Sequence, residues 1–125
     1  MLIAIGIDLV EVARIEASVT RFGARFLDRI FTESERRYCG DKANSGERYA
    51  ARFAAKEAAM KALGTGWSQG VTWLDLEVGR EASGKPTLLV HGAAQQRALI
   101  LGIRHWSVSL THTPDYAMAQ VIAED

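Results

Sequence analysis

Four charged residues stand in settings where ionised side chains are uncommon. Asp8 lies within the apolar run "LIAIGIDLV", and Lys56, Glu57 and Lys61 lie within the alanine-rich stretch "RYAARFAAKEAAMKALGTG". An ionised carboxylate in apolar surroundings is costly unless it is paired, hydrogen-bonded or bound to a cation. Mg²⁺ is commonly held by one or two carboxylates together with substrate phosphates and water, so Asp8 and Glu57 are candidate ligands for such an ion.

Each of these residues also has an ordinary structural explanation. Asp8 could cap the following helix, and Glu57 could pair with Lys61 on an exposed helix face, which is worth only a few tenths of a kcal/mol. Gly64 and Gly66 could end the helix, or could let a phosphate or a base approach the backbone. Without a cation, two carboxylates about 4 Å apart would repel by about 4 kcal/mol at an effective dielectric constant of about 20. Together the residues indicate a divalent cation beside a phosphorylated ligand.

The elements that must position these residues follow from periodicity and turn signals. A buried strand is predicted over residues 2–10, and helical spacing follows with a break or bend at Gly23. Thr32 and Glu35 form a capping box, and a long helix over residues 47–63 ends at Gly64 or Gly66. The remaining predictions are strands over residues 71–78 and 86–91, a helix ending at Gly102, and a terminal hairpin. This order predicts one α+β domain over residues 1–125, with a largely antiparallel sheet covered by helices.

Composition narrows the classes of function. The chain has 125 residues, 48% of them hydrophobic and 24% charged, and its 15 basic and 15 acidic residues give a formal net charge of zero. No bulk attraction to nucleic acid or to a membrane surface is therefore expected. The single cysteine, Cys39, excludes an internal disulfide, and the apolar N-terminal run is short and interrupted by Asp8. We expect a cytoplasmic protein without a membrane-spanning segment.

Two segments resemble the signature motifs of a known enzyme family. They are "GIDLVEVARIE" (residues 6–16) and "RFAAKEAAMKALGTG" (residues 52–66). The similarity extends to "GKP" (residues 84–86) and to "SLTHTPDYAMAQVI" (residues 109–122), so it covers nearly the whole chain in the same order. These segments resemble the 4′-phosphopantetheinyl transferases, and among them the short bacterial group of holo-[acyl-carrier-protein] synthases.

The resemblance implies a reaction. The family transfers the 4′-phosphopantetheine group of coenzyme A to a serine of apo acyl carrier protein, with Mg²⁺ as cofactor and adenosine 3′,5′-bisphosphate as product. By position, Asp8 and Glu57 match the Mg²⁺ ligands, and Lys61 would assist them in catalysis. Either Glu57 or a metal-bound water would accept the serine proton. The positions that match contacts to coenzyme A are Lys56, Lys61, Gly64, Gly66, Lys85, Pro86 and His112.

The resemblance also implies partners. A chain of this length looks like one half of the longer, two-lobed transferases, so a homotrimer with sites at the subunit interfaces is expected. Acyl carrier proteins are acidic, and Arg14, Arg21 and Arg25 fall nearly on one line of an ideal helix. These arginines could be a solvated basic face, but the family resemblance favours a docking surface for the carrier protein.

Two other functions fit parts of the same pattern. A metal-dependent phosphoesterase could use Asp8 and Glu57, although a third acidic cluster is missing from the sequence. A noncatalytic trimeric module that binds acidic proteins could use the basic helix face. Neither alternative explains why both signature motifs occur together.

Overall fold

The computed structural model of the chain describes residues 1–40, 42–66 and 68–125. Five strands and five helices are present in this part of the chain, together with one short 3-10 turn at Trp73–Asp75. In chain order the elements are β1 (Leu2–Glu11), α1 (Val12–Phe22), α2 (Ala24–Ile30), α3 (Glu33–Gly40), α4 (Ser45–Leu63), β2 (Leu76–Arg80), β3 (Pro86–Val90), α5 (Gly92–Leu101), β4 (His105–His112) and β5 (Tyr116–Glu124). None of the helices in the described ranges has both the length and the apolar character needed to cross a membrane.

The strands form two antiparallel sheets. The first has the order β1–β5–β4, so the N-terminal strand pairs with the last strand of the chain, and the second is the β2–β3 hairpin. Asp8 is opposite Ala119 in β5, and Ala119 is in turn opposite Leu110 in β4. The predicted α+β class with antiparallel strands and packed helices is confirmed.

Helix α4 lies at the centre of the molecule and contacts both β1 and β5. Its alanines favour the helix intrinsically and bring little volume to the contact, so neighbouring backbones can come close. Most of its residues are buried, which is typical of a helix covered on nearly all sides. The sequence places its start at residue 47, whereas the helix begins at Ser45.

Strand β1 is only half buried, and this corrects the prediction of a buried strand. Its side chains alternate between the two faces of the sheet. Gly6 and Val10 are buried on the helix side, while Ile5, Ile7 and Leu9 are more than half exposed on the other side. Apolar composition alone predicted burial on both faces, but within one chain the described residues form no layer that covers the second face.

The uncovered side of the first sheet has a mainly apolar surface, which we call the open sheet face. The paired strand β5 contributes exposed apolar side chains next to those of β1, because residues opposite each other share a face. The open sheet face is defined here by Ile5, Ile7, Leu9, Tyr116, Met118 and Ile122.

Some of the helix and strand boundaries predicted from capping residues and glycines are observed, and others are not. The capping box is present, since Thr32 Oγ1 accepts from the Glu35 amide at 3.2 Å and Glu35 Oε1 accepts from the Thr32 amide at 2.8 Å. Helix α5 ends at Gly102, which has φ 80°. The strand predicted over residues 71–78 begins only at Leu76, because Asp75 and Thr72 cap the 3-10 turn that precedes it. The break predicted at Gly23 separates α1 from α2.

Candidate active site

Close contact between β1 and α4 positions the first carboxylate. Gly6 is pressed against α4 so tightly that a Cβ atom there would collide with the Ala58 carbonyl oxygen. Two residues further along β1, on the same face, Asp8 lies beside the C-terminal half of α4. The absence of a side chain at Gly6 therefore decides how near the aspartate comes to the helix.

Lys61 joins the strand to the helix at this point. Its ammonium group donates to the Ile7 carbonyl oxygen at 2.9 Å and to Asp8 Oδ1 at 3.1 Å. The Lys61 side chain is 57% exposed, whereas that of Asp8 is mostly buried. A cation at the mouth of a partly buried anionic site can contact a ligand that arrives from solvent.

Glu57 completes the group one helical turn before Lys61. Glu57 is partly buried, and its pKa is raised, mainly by burial and to a lesser extent by the negative charge of Asp8. The charges of Lys61 and Arg14 and a hydrogen bond from Trp73 lower the pKa of Glu57 but do not reverse the shift. A carboxylate whose ionisation is opposed by a nearby anionic side chain forms with it an oxygen-rich site that a divalent cation would stabilise. The donor set therefore fits Mg²⁺, with Asp8 and Glu57 as the residues that would hold it.

Lys56 does not belong to this group, and its predicted contact with a coenzyme A phosphate is wrong for this structure. Its side chain is 0% exposed, and its ammonium group donates to Glu35 Oε1 at 2.7 Å, to the Leu76 carbonyl oxygen at 2.9 Å and to the Trp73 carbonyl oxygen at 3.0 Å. Three acceptors saturate an ammonium group, which has three N–H donors. Lys56 connects α4 to α3 and to the start of β2.

Glu35 is a buried carboxylate that joins three elements of the fold, and the sequence did not predict this role. The capping box marked it as the N3 residue of α3, but no local pattern indicated its partners in other elements. Its Oε1 binds the Thr32 amide and Lys56, and its Oε2 accepts from the Val78 amide at 2.7 Å. The carboxylate thereby fixes β2 against α3 and α4 from within the core.

The glycines after α4 have the backbone conformation that the sequence predicted. Gly64 ends the helix at φ 75°, and Gly66 has φ 55°, a left-handed region that favours glycine. No atom of the other described residues lies within 4 Å of the position that a Cβ would take at either glycine. The backbone here is open enough to be approached by a ligand.

Lys85 and Pro86 lie elsewhere, at the turn between β2 and β3. The Lys85 carbonyl oxygen accepts from the Glu81 amide at 2.8 Å, which closes the turn, and Pro86 begins β3. Among the described residues, no hydrogen bond or ion pair links this turn to Asp8, Glu57 or Lys61. Their predicted contact with a nucleotide remains a prediction.

His112 is also separate from the carboxylates within one chain. Its Nδ1 lies 2.9 Å from Glu47 Oε1, in the first turn of α4. Glu47 precedes Glu57 by ten residues, which is about 15 Å of helix. His112 lies on β4 and Asp8 on β1, with β5 between them, so the two strands are about 10 Å apart. The pairing with Glu47 had no local sequence signal.

The three arginines predicted to bind a carrier protein are all exposed, but they do not share one helix. Arg14 and Arg21 lie on α1, whereas Arg25 lies on α2, after the change of direction at Gly23. The prediction that the three form a line assumed a continuous helix and is corrected by this break. Arg14 is near enough to the carboxylates for its charge to lower the pKa of Glu57.

The chain resembles known proteins over its full length. Residues 4–121 match the family model described as the 4′-phosphopantetheinyl transferase superfamily. The holo-[acyl-carrier-protein] synthase of Koribacter versatilis is 60% identical over 125 residues, with 100% of both chains covered. A crystal structure of holo-[acyl-carrier-protein] synthase from Neisseria meningitidis has a TM-score of 0.90, with 34% identity and 100% of both chains covered.

A second solved structure carries a ligand. The Helicobacter pylori holo-[acyl-carrier-protein] synthase in complex with coenzyme A has a TM-score of 0.84 and 33% identity, and the match covers 96% of this chain and 99% of that one. The chain belongs to the 4′-phosphopantetheinyl transferase superfamily.

Proposed function

We propose that this protein transfers the 4′-phosphopantetheine group of coenzyme A to a serine of apo acyl carrier protein and releases adenosine 3′,5′-bisphosphate. The observation that carries the proposal is that Asp8, Glu57 and Lys61 lie close together in a chain whose relatives are named holo-[acyl-carrier-protein] synthases. The reaction replaces one phosphorus–oxygen bond of a pyrophosphate with another, so the protein has mainly to position the groups and to neutralise charge.

Asp8 and Glu57 would hold Mg²⁺. When bound, the ion supplies positive charge to the pyrophosphate oxygens. Lys61 adds a second positive charge at the exposed edge of the site. Because its side chain is exposed, its ammonium group could move from Asp8 to a substrate phosphate without any change in the fold. The raised pKa of Glu57 fits a group that can accept the serine proton.

The metal site can be tested without an activity measurement. A ligand that binds only the folded state raises the free energy of unfolding. We therefore expect millimolar Mg²⁺ to raise the melting temperature of the native protein, and to have no such effect on Asp8→Asn or Glu57→Gln. An equal effect on the native protein and on both variants would place the ion elsewhere.

A homotrimer would bring His112 to the carboxylates. Within one chain His112 contacts Glu47 at the far end of α4 from Lys61. The family resemblance therefore implies that the His112 near each carboxylate pair comes from a second subunit. The open sheet face supports association, because contiguous exposed apolar surface of this kind marks interaction sites. Lysine substitution at Ile7 is expected to give a monomer in light scattering and to remove transferase activity.

Subunit mixing tests whether the site is shared. Asp8→Asn and His112→Ala subunits are each expected to be inactive as pure proteins. If each site takes Asp8 from one subunit and His112 from another, refolding the two variants together at equal concentrations makes about one quarter of the sites intact. Recovery of about a quarter of the native rate supports a shared site, and no recovery in verified mixed trimers contradicts it.

The carrier protein is proposed to dock on α1 and α2. Arg14 and Arg21 are exposed on α1, and Arg25 and Phe22 border a hollow of about 270 Å³ between the two helices. Reversing the charge of Arg14 and Arg21 to glutamate is expected to raise the KM for carrier protein much more than that for coenzyme A. Arg104→Glu, in the loop before β4, is a matched control that should change neither. Equal changes in both constants would remove the docking proposal.

The activity itself is tested by intact-mass spectrometry. Apo acyl carrier protein is incubated with this protein, coenzyme A and Mg²⁺, and a parallel sample contains EDTA. A gain of one phosphopantetheine on the carrier serine, lost with EDTA, is the expected result. No gain with several carrier proteins, while a known transferase works alongside, would refute the proposal. A cytoplasmic location is proposed with this activity, and the single, free Cys39 thiol supports it.

A further inference from the structure

Trp73 is the first residue of the 3-10 turn before β2, and its backbone is held against α4. The Lys56 ammonium group donates to the Trp73 carbonyl oxygen at 3.0 Å. The turn is fixed by its own capping box, in which the Asp75 carboxylate accepts from the Thr72 amide at 3.3 Å. The buried Lys56 side chain and the capped turn therefore determine where the indole ring of Trp73 lies.

The Trp73 side chain contacts two charged groups. The guanidinium carbon of Arg29, on α2, lies over the indole ring, 5.7 Å from its centroid. The indole nitrogen is buried, and its N–H donates to the Glu57 carboxylate. A buried indole N–H usually has a hydrogen-bond partner, and an ionised acceptor makes the bond stronger than a neutral one does.

Two successive residues of α4 thus contact the same tryptophan. Lys56 binds the backbone of Trp73, and Glu57 accepts from its side chain. Because Lys56 is buried in the core, the indole is a fixed donor, not one on a mobile loop. The Glu57 carboxylate is consequently held by a group that is itself anchored to the helix on which Glu57 lies.

Both candidate Mg²⁺ ligands have a hydrogen-bond donor beside them. Asp8 accepts from the Lys61 ammonium group at 3.1 Å, and Glu57 accepts from the Trp73 indole. Donors that bind the carboxylates of a metal site fix the orientation of these ligands, and their loss commonly weakens metal binding. A restrained glutamate also loses less rotamer freedom when it binds an ion.

We propose that Trp73 is a positioning residue, whose indole N–H holds the Glu57 carboxylate in the orientation that binds Mg²⁺ beside Asp8. The inference rests on the proposed function, of which the Mg²⁺ site is a part. An ionised carboxylate accepts several hydrogen bonds, so an oxygen of Glu57 stays available for the ion while the N–H is bound.

NMR spectroscopy tests the contact before any ion is added. In protein with ¹⁵N-labelled tryptophan, the indole N–H peak of Trp73 is the one that is lost in Trp73→Phe. We expect this peak to move upfield in Glu57→Gln, because the N–H then loses its charged acceptor. Glu47→Gln is the matched control, since Glu47 lies on the same helix beside His112. A Trp73 peak that moves no further in Glu57→Gln than in Glu47→Gln would overturn the inference.

Titration with Mg²⁺ then measures the positioning role without a transfer reaction. The dissociation constant is obtained from the backbone amide peaks of the native protein, Trp73→Phe and Trp106→Phe. Trp73→Phe keeps an aromatic face for Arg29 but removes the N–H, and we expect it to weaken Mg²⁺ binding about tenfold. Trp106→Phe makes the same replacement on β4 and should leave the Mg²⁺ affinity unchanged. Equal affinities of the two variants would show that Trp73 does not position the ligand.

The indole peak also shows where the ion binds. In the native protein Mg²⁺ should move the Trp73 peak, and in Asp8→Asn the same Mg²⁺ concentrations should not. A Trp73 peak that stays in place while Mg²⁺ binds the native protein would overturn the inference, because the ion would then lie away from Glu57.

These results separate the inference from the proposed function. Native Mg²⁺ affinity in Trp73→Phe would refute the positioning role and leave the metal site intact. If the native protein binds no Mg²⁺ at all, the metal site of the proposed function is refuted and the positioning role with it.

Discussion

Replacing Lys56 by methionine separates the structural role of this lysine from a role at a phosphate. The substitution keeps the length of the side chain but removes its charge and its donors. Glu35 would then be left as a buried carboxylate without a cation, and the carbonyl groups of Trp73 and Leu76 would lose a donor. Removing one partner of a buried ion pair destabilises a protein by about 3–5 kcal/mol. This is a large part of the total stability of about 5–15 kcal/mol that is usual for a domain.

Urea unfolding followed by circular dichroism measures this loss. We expect the midpoint of Lys56→Met to fall by an amount that corresponds to about 3–5 kcal/mol, with the slope unchanged. The Lys56→Met/Glu35→Gln double variant should be less destabilised than the sum of the two single variants by at least about 1 kcal/mol, because neither then leaves an unpaired charge.

Lys61→Met is the matched control on the same helix. Lys61 is more than half exposed, and its pair with Asp8 is at the surface, so removal should change stability by less than about 1 kcal/mol. It should instead raise the KM for coenzyme A or lower kcat. If Lys56→Met keeps native stability and raises the KM for coenzyme A tenfold, the structural assignment of Lys56 is wrong and the phosphate role is right.

Three further predictions follow from single sites. Gly6→Ala should destabilise the protein by about 3 kcal/mol or more, because the new methyl group meets the rigid backbone at Ala58. Gly40→Ala is the control and should be neutral or slightly stabilising, because its methyl group makes only an ordinary contact at 3.7 Å. Comparable urea midpoints for the two variants would contradict this reasoning. Because the pKa of Glu57 is raised above 4.5, its charge opposes folding increasingly as the pH rises through the raised value. Without divalent cations Glu57→Gln should therefore have a higher urea midpoint than the native protein at pH 7, and a difference that persists unchanged below about pH 4.5 would refute the assignment. Burial raises the pKa of Cys39 to about 11, so a disulfide reagent at pH 8 should label this thiol only as the protein unfolds, and rapid labelling of the folded protein would show that the thiol is accessible.

Local chemistry made several elements predictable from the sequence. The capping box at Thr32 and Glu35 uses atoms three residues apart, and the left-handed end of α5 needs only Gly102. The failures concern contacts between distant segments. Apolar composition in residues 2–10 cannot reveal that Ile5, Ile7 and Leu9 are exposed on one face of β1 in a single chain. The strand predicted from residue 71 was shortened because Thr72 and Asp75 cap a 3-10 turn instead.

The same distinction applies to the candidate site. Asp8, Glu57 and Lys61 were identified from their residue types and motifs, and the structure brings them together. Lys56 was predicted to contact coenzyme A because its position matches the family's motif. Successive residues on an α-helix point about 100° apart, however, whereas residues four apart differ by about 40°. Glu57 and Lys61 therefore share a face, and Lys56 points towards Glu35 in the core.

By itself the sequence determined the class of fold, the family and the chemical groups available for catalysis, because these follow from short-range patterns and from motif order. Only the tertiary structure decided which charges face solvent and which are buried. The Lys56–Glu35 pair and the contact between His112 and Glu47 each join segments more than ten residues apart. Such pairings depend on how the helices and the sheet pack, and no local pattern of residues encodes them.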